Sequence, residues 1–172
     1  GDYRFLSNFN PCPVVLDGQV YPTVEHAYQA WKTTDPIWRE KIRLCDTPGQ
    51  AKRMGRMAPV REGGIPVEAR VEAMDALLQQ KFSGGELLRL LLETAPHELV
   101  EGNSHGDHVF GMCTAKVCSS PDHPGENHLG RLLMKIRDEL QLFQRDKSLG
   151  RAIKLDDEDI DFERLTREPS KG

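Results

Sequence analysis

A carboxylate, an amide and an amine recur at helical spacing near the start of the chain. Glu25, Gln29 and Lys32 are separated by four and three positions, so they lie on one face of a helix. Such side chains can transfer protons, orient hydroxyl groups and hold anions. Ordinary surface neighbours have the same spacing. Because this face directly follows a predicted hairpin and begins a helix, we treat it as the first part of a candidate site.

Two further polar clusters are not explained by core packing. Residues 101–108 read Glu-Gly-Asn-Ser-His-Gly-Asp-His, and the two glycines permit close approach of the backbone to a ligand. A plain solvent-exposed turn has a similar composition. Residues 125–131 lie at the predicted start of a helix, where free amides and the helix dipole favour a phosphate. There, Asn127 has the alternative role of a simple N-cap.

The elements that must position these clusters are mainly helices. A hairpin with strands at 14–16 and 19–21 is predicted from the Asp17-Gly18 pair between two β-favouring runs. Three helices are predicted to begin at the capping signals Thr23, Asp35-Pro36 and Thr47-Pro48. Apolar spacing predicts further helices over 67–82, 86–94 and 129–142. Brief strands are predicted at Leu99-Val100 and Val109-Phe110.

The fold class that follows is mainly α, an α+β arrangement in which a small β-hairpin accompanies a single multihelical domain. We place that domain at residues 5–143. Residues 144–172 are predicted to form an acidic, flexible C-terminal tail, since six of the eight residues 156–163 are acids.

Composition and charge exclude several classes of protein. A chain of 172 residues fits one domain, and charges interrupt its short apolar runs, which excludes a membrane span. The net charge of −4 provides no basic field for holding nucleic acid non-specifically. The four cysteines include no CxxC pair and no apolar signal segment opens the chain, so a reducing cytoplasm is the expected location.

Six blocks of sequence are more specific than these patterns. They read SNF at 7–9, YPTVEHAYQA at 21–30, AKRMG at 51–55, KF at 81–82, LVEGN at 99–103 and NHLGRLLM at 127–134. In this order, from about Phe5 to Leu142, they resemble the NADAR family, also called YbiA-like. The resemblance implies a multihelical YbiA-like domain and N-glycosidase chemistry, which hydrolyses a bond between a ribose C1 and a nitrogen. It implies no metal and no other cofactor.

Breaking such a bond makes specific demands on side chains. Positive charge builds on the sugar and negative charge on the leaving base, so a carboxylate and a donor both help, and a water must be activated. Glu25 and Asp107 are the predicted catalytic pair, and either can be the base. Amides are predicted to orient hydroxyls, basic groups to hold phosphate and rings to stack. The predicted substrate-binding residues are Asn8, Tyr28, Gln29, Lys32, Lys52, Arg53, Glu101, Asn103, Phe110 and Asn127.

The resemblance implies two classes of substrate, phosphoribosyl intermediates of riboflavin synthesis and ADP-ribose attached to guanine. The expected partner is therefore a small nucleotide or an ADP-ribose conjugate, and nucleic acid only when it is ADP-ribosylated. The sequence departs from the family's pattern near Ile65, at Phe110 and over 112–124. The first two positions lack a tryptophan, which predicts an altered surface for stacking the base.

Two other classes of function are open at this point. Residue types that bind zinc recur at intervals of five, at Cys113, Cys118, His123 and His128, with His105 and His108 upstream. Structural zinc sites usually contain a cysteine pair two to four residues apart, so this spacing is unfavourable. The second alternative is a catalytically silent module that binds ADP-ribose or a related nucleotide in the same pocket.

Overall fold

Side-chain caps fix where the first three helices begin. In the computed structural model, Thr23 Oγ1 accepts a hydrogen bond from the His26 amide (3.2 Å) at the start of α1 (Val24–Trp31). Asp35 caps α2 (Pro36–Arg43), and Thr47 forms a reciprocal capping box with Gln50 at the start of α3 (Pro48–Met57). All three predicted helix starts are confirmed. They could be predicted from the sequence because a capping side chain and the amide that it accepts from lie within one helical turn.

The other elements complete a mainly helical domain within residues 2–61, 63–103, 106–113 and 124–148, which the structure describes. They are a 3-10 helix at Arg4–Leu6, strands β1 (Val14–Leu16) and β2 (Gln19–Tyr21), helices α4 (Val67–Lys81), α5 (Gly85–Glu93) and α6 (His128–Ser148), and strands β3 (Gly102–Asn103) and β4 (Met112–Cys113). The predicted fold class is confirmed. Helix α6 includes the first five residues of the predicted tail, and residues 149–172 lie outside the described ranges.

The strands β1 and β2 form the predicted antiparallel hairpin. Asp17 (φ 48°) and Gly18 (φ 75°) both occupy the left-handed region, as a two-residue turn between twisted strands requires. Val14 pairs with Tyr21, and both side chains are buried. The hairpin packs against α1 and α4, so it is part of the same core.

Helix α1 is that central helix. Every residue of α1 except Trp31 is buried, because α1 packs against α2, α3, α4 and the hairpin. Helix α6 packs against α4 and contributes Leu132, Leu133 and Ile136 to the core, as its apolar spacing predicts. The buried residues of α1 include three polar ones, Glu25, His26 and Gln29. The centre of the core is therefore also a place where chemistry can occur.

The predicted positions of the two strands between α5 and α6 are wrong. The structure pairs β3 and β4 in parallel, each three residues after the predicted Leu99-Val100 and Val109-Phe110. The Leu99 carbonyl accepts a hydrogen bond from a side chain of the α6 region, and the Val109 and Phe110 amides donate to a nearby carboxylate. These backbone groups are thus hydrogen-bonded to side chains and are not available for the inter-strand hydrogen bonds that a strand would need.

Among the residues described, no helix is both long enough and apolar enough to cross a membrane.

Candidate active site

A cavity of about 530 Å³ lies between α1, α3, α4, the turn of residues 7–10, which we call the N-terminal turn, and the loop between β3 and β4. Helix α1 contributes Glu25, Tyr28, Gln29 and Lys32 to its lining. The other lining residues are Ser7, Asn8, Phe9, Lys52, Arg56, Val60, Ile65, Arg70, Met74, Glu101, Asp107, Phe110 and Leu129. The structure therefore brings the polar face of α1 and the carboxylate of the distant loop to one site.

Glu25 is a buried carboxylate in this cavity, with 5% of its surface exposed. Its Oε1 accepts a hydrogen bond from Gln29 Nε2 at 2.7 Å. Burial raises the pKa of Glu25, while the Gln29 bond and the charge of Lys52 partly oppose that rise. Because little water screens this carboxylate, a cation that develops beside it is stabilised strongly.

The raised pKa of Glu25 predicts how the free energy of unfolding depends on pH. Between the ordinary and the raised pKa, the folded chain holds a proton that the unfolded chain has lost. The contribution of Glu25 to the free energy of unfolding therefore falls as the pH rises through that window. Glu25→Gln removes the buried charge and keeps an oxygen for Gln29, so near neutral pH the variant should melt at or slightly above the temperature of the wild type.

Thermal unfolding followed by circular dichroism measures this difference. Any gain in the melting temperature of Glu25→Gln near neutral pH should shrink as the pH approaches the ordinary glutamate pKa of about 4.3, because the wild-type side chain is then also neutral. A variant that melts well below the wild type near neutral pH would contradict the expectation.

Gln29 lines the cavity and carries an unsatisfied oxygen that packs against α3. Its Oε1 is buried and has no hydrogen-bond partner among the described residues, whereas its Nε2 is bonded to Glu25. Helix α3 packs closely on this side chain at Gly55, where an added Cβ would overlap Gln29 Oε1 and lie 2.8 Å from Gln29 Cβ. The amide is therefore held from two sides, by Glu25 at its nitrogen and by α3 at its oxygen.

Asp107 reaches the same cavity from the loop between β3 and β4. Its Oδ1 accepts hydrogen bonds from the Val109 and Phe110 amides at 3.1 and 3.0 Å. Asn103 holds the Asp107 backbone, donating to its carbonyl at 2.9 Å and accepting from its amide at 3.1 Å. Asn103 is buried and does not line the cavity. Asn103 thus bonds to the backbone of Asp107, and its predicted substrate contact stays a prediction.

Basic side chains line one side of the cavity. Lys32 and Lys52 are among them, but on α3 the third is Arg56 instead of the predicted Arg53. Lys52 and Arg56 are four residues apart and share a helix face, whereas Arg53 does not line the cavity. The spacing of four from Lys52 is the sequence signal that identifies Arg56. None of the ion pairs in the described part of the chain involves Lys32, Lys52 or Arg56.

Tyr28 and Phe110 form an aromatic corner of the cavity. Their rings meet edge to face, with centroids 5.5 Å apart. Arg70 Nε donates to Tyr28 Oη at 3.3 Å, and its guanidinium carbon lies 5.7 Å from the Phe110 ring. Arg70 is not predictable from the sequence, because no local spacing relates α4 to these rings. The corner offers both an apolar edge and a hydrogen-bond donor, a combination suited to a heteroaromatic base.

Asn127 does not line the cavity. Its side chain is buried and joins two backbone groups: Nδ2 donates to the Leu99 carbonyl and Oδ1 accepts from the Glu101 amide, both at 3.0 Å. Asn127 thus joins the Leu99 and Glu101 backbones, and its predicted substrate contact stays a prediction. Glu101 does line the cavity, and Asn127 fixes its backbone.

The structure also bears on the zinc alternative. Over the described residues, no three or more His, Cys, Asp or Glu side chains are grouped so that they could hold a metal ion. Cys118, His123 and His105 lie outside those residues. The cavity itself is lined by acids, amides, bases and aromatic rings.

The chain is similar to several known proteins. The family model described as NADAR domain matches residues 1–141. N-glycosidase YbiA of Escherichia coli (strain K12) is 39% identical over 144 residues, which cover 82% of this chain and 84% of that protein. N-glycosidase Npun_R5314 of Nostoc punctiforme is 31% identical over 144 residues, which cover 81% of this chain and 86% of that protein. Riboflavin biosynthesis protein VVA0006 of Vibrio vulnificus is 36% identical over 141 residues, 81% of this chain and 36% of that protein.

The fold agrees as well. The NMR structure of the Escherichia coli protein YbiA superimposes with a TM-score of 0.67 at 37% sequence identity, covering 85% of this chain and 83% of that chain. The names of the relatives support a glycosyl hydrolase activity. A family match over most of the chain, relatives that align over most of its length and a shared fold together show that the chain belongs to the NADAR family.

Proposed function

We propose that the cavity hydrolyses the bond between a ribose C1 and a base nitrogen in a phosphorylated or ADP-ribosylated nucleoside. The observation that carries this proposal is a buried carboxylate, Glu25, that shares one cavity with the cations Lys52 and Arg56. A reacting ribose would bring positive charge to the carboxylate and its phosphate to the cations. The name of the Vibrio vulnificus relative supports a phosphoribosyl intermediate of riboflavin synthesis as one substrate. ADP-ribose attached to guanine is the other substrate that we propose.

Glu25 is the group that we assign to the sugar. As the C1–N bond lengthens, the ribose gains positive charge, which a buried carboxylate stabilises more than it stabilises the neutral ground state. Water then forms the new C1–O bond and gives its proton to a carboxylate base, while the leaving base keeps the bonding electron pair and takes up a proton. Asp107 positions the ribose or the water, and Gln29, which donates to Glu25, holds that carboxylate in place.

The phosphate assignment predicts effects on substrate binding. Lys52→Ala and Arg56→Ala are each expected to raise KM by about tenfold and to change kcat by less than about threefold, because phosphate is held alike in the ground and transition states. Steady-state kinetics on a phosphoribosyl substrate measures both constants. Arg53→Ala, on the same helix, is the comparison variant and should keep its KM. A raised KM for Arg53→Ala with an unchanged KM for Arg56→Ala would show that Arg53, as predicted from the sequence, binds the phosphate.

Release of a free base tests the proposed function directly. The purified protein is incubated with phosphoribosyl intermediates of riboflavin synthesis and with an ADP-ribosylated guanosine, and the products are separated by mass. We expect a free base from at least one of them. Substrate binding without base release, unaffected by Glu25→Gln, would favour a non-catalytic nucleotide-binding module. Near-stoichiometric zinc that survives dialysis would favour a metal site.

A further inference from the structure

Lys81, the last residue of α4, is a buried cation outside the cavity. Only 2% of its surface is exposed, and burial lowers the pKa of its ammonium group to about 8. In the described residues, no carboxylate lies within ion-pair distance of this group. A buried charge without an acidic partner opposes folding. Core packing therefore does not account for a lysine at this position.

The ammonium group of Lys81 bonds to the backbone of the N-terminal turn. Lys81 Nζ donates to the Ser7 carbonyl oxygen at 2.7 Å. The same oxygen accepts from the Asn10 amide at 3.0 Å, and Ser7 Oγ accepts from the Phe9 amide at 3.1 Å. The carbonyl that closes the turn is thus the one that Lys81 holds, and a charged donor makes this bond stronger than a neutral one.

The N-terminal turn meets α1 at Glu25. The first amides of a helix lack partners within the helix, and the Glu25 amide donates to the Asn8 carbonyl oxygen at 3.1 Å. The Asn8 side chain lines the cavity, where its Nδ2 donates to Met74 Sδ at 3.5 Å. Its Oδ1 is buried without a hydrogen-bond partner among the described residues. Helix α4 therefore contacts the turn at two residues, Met74 and Lys81, about two helical turns apart.

We propose that Lys81 is a positioning residue of the candidate active site. Its bond to the Ser7 carbonyl holds the N-terminal turn so that Asn8 faces the cavity and the Asn8 carbonyl receives the Glu25 amide. Lys81 does not touch the substrate and acts through Asn8 and Glu25. The inference rests on the proposed function, because the groups that Lys81 positions are those that the N-glycosidase reaction would use.

The test compares Lys81→Met with the wild type and with Lys135→Met. Methionine keeps an apolar stem of similar length and removes the ammonium group. Lys135 lies on α6 and bonds to Asp75 of α4 at 2.7 Å without lining the cavity, so it is the matched control. The first readout is kcat and KM on a riboside that the wild type cleaves. The second is amide hydrogen exchange, measured by NMR at Asn10 and Glu25.

Two results are expected for Lys81→Met. Its kcat should fall by about tenfold to a hundredfold while KM stays within about threefold, because misplacing a reacting group affects the transition state more than binding. Exchange at the Asn10 and Glu25 amides should become about tenfold faster while the amides of α6 keep their rates, since only the turn is released. Lys81→Arg keeps a cationic donor and should recover most of the kcat, and Lys135→Met should match the wild type.

Unchanged exchange at both amides in Lys81→Met would overturn the inference whether or not the wild type is active. So would an unchanged kcat on a substrate that the wild type cleaves. If the wild type cleaves no riboside, the proposed function fails, and the exchange rates alone decide the role of Lys81. Lys81→Gln, whose amide ends short of the Ser7 carbonyl, replaces Lys81→Met in both measurements if the latter does not fold.

Discussion

Replacing Glu25 with glutamine is expected to lower kcat on a cleaved riboside by about a hundredfold or more, with little change in KM. Glutamine is nearly isosteric and keeps an oxygen for the hydrogen bond that Gln29 Nε2 donates at 2.7 Å. The substitution therefore removes the negative charge and leaves the shape of the cavity unchanged. Because a carboxylate matters most where positive charge develops, the loss should appear in turnover and not in substrate binding.

Single-turnover and steady-state measurements on the same riboside separate these effects. Glu40→Gln, an acid-to-amide change at an exposed ion pair on α2, is the control and should keep both constants. A Glu25→Gln variant with near wild-type turnover would contradict the assignment. Asp107 or Glu101, the other carboxylates of the cavity, would then become the first candidate for the same role.

Gly130→Ala should lower the free energy of unfolding by about 3 kcal/mol, near the upper end for overpacking a close contact. A Cβ at this third residue of α6 would overlap the Leu99 carbonyl oxygen and lie 2.6 Å from Asn127 Oδ1. Both atoms belong to the hydrogen bonds that tie the backbone of Leu99 and Glu101 to α6. Because one of the atoms is backbone, the clash moves a chain segment and not merely the end of a flexible side chain.

Chemical denaturation of Gly130→Ala and Gly49→Ala measures this effect. Gly49 also lies near the start of a helix, but a Cβ there meets only Arg53 Nη1, at 4.0 Å. Gly49→Ala should therefore leave stability unchanged or raise it by up to about 1 kcal/mol, as expected for alanine within a helix. Equal stabilities for the two variants would mean that the Leu99 segment shifts at no cost.

Local signals made much of the fold predictable. Thr23, Asp35 and Thr47 identify helix starts because a cap and its amide lie within one turn. The hairpin was equally predictable from the sequence, since the Asp17-Gly18 pair favours a two-residue turn. The strands after α5 were not predictable, because their position depends on a hydrogen bond between Leu99 and Asn127, a residue 28 positions later in the chain.

The candidate site was predictable to the extent that its residues share a local spacing. Glu25 and Gln29 follow from the periodicity of α1, and Arg56 could have been found from the same rule applied to Lys52. Asn103 and Asn127 were assigned to substrate because residue type does not distinguish an amide that contacts a ligand from one that satisfies buried backbone groups. Such assignments require the tertiary structure.

The lining of the cavity extends along the chain from Ser7 to Leu129, and this has a consequence for biosynthesis. The N-terminal turn and α1 leave the ribosome early. Asp107 follows the end of α1 by 76 residues, and the start of α6 follows it by 97. Contacts over such separations form slowly, since the intervening chain must first be ordered. The nascent chain therefore remains without a complete cavity until α6 has been made, and its buried polar groups stay hydrated until then.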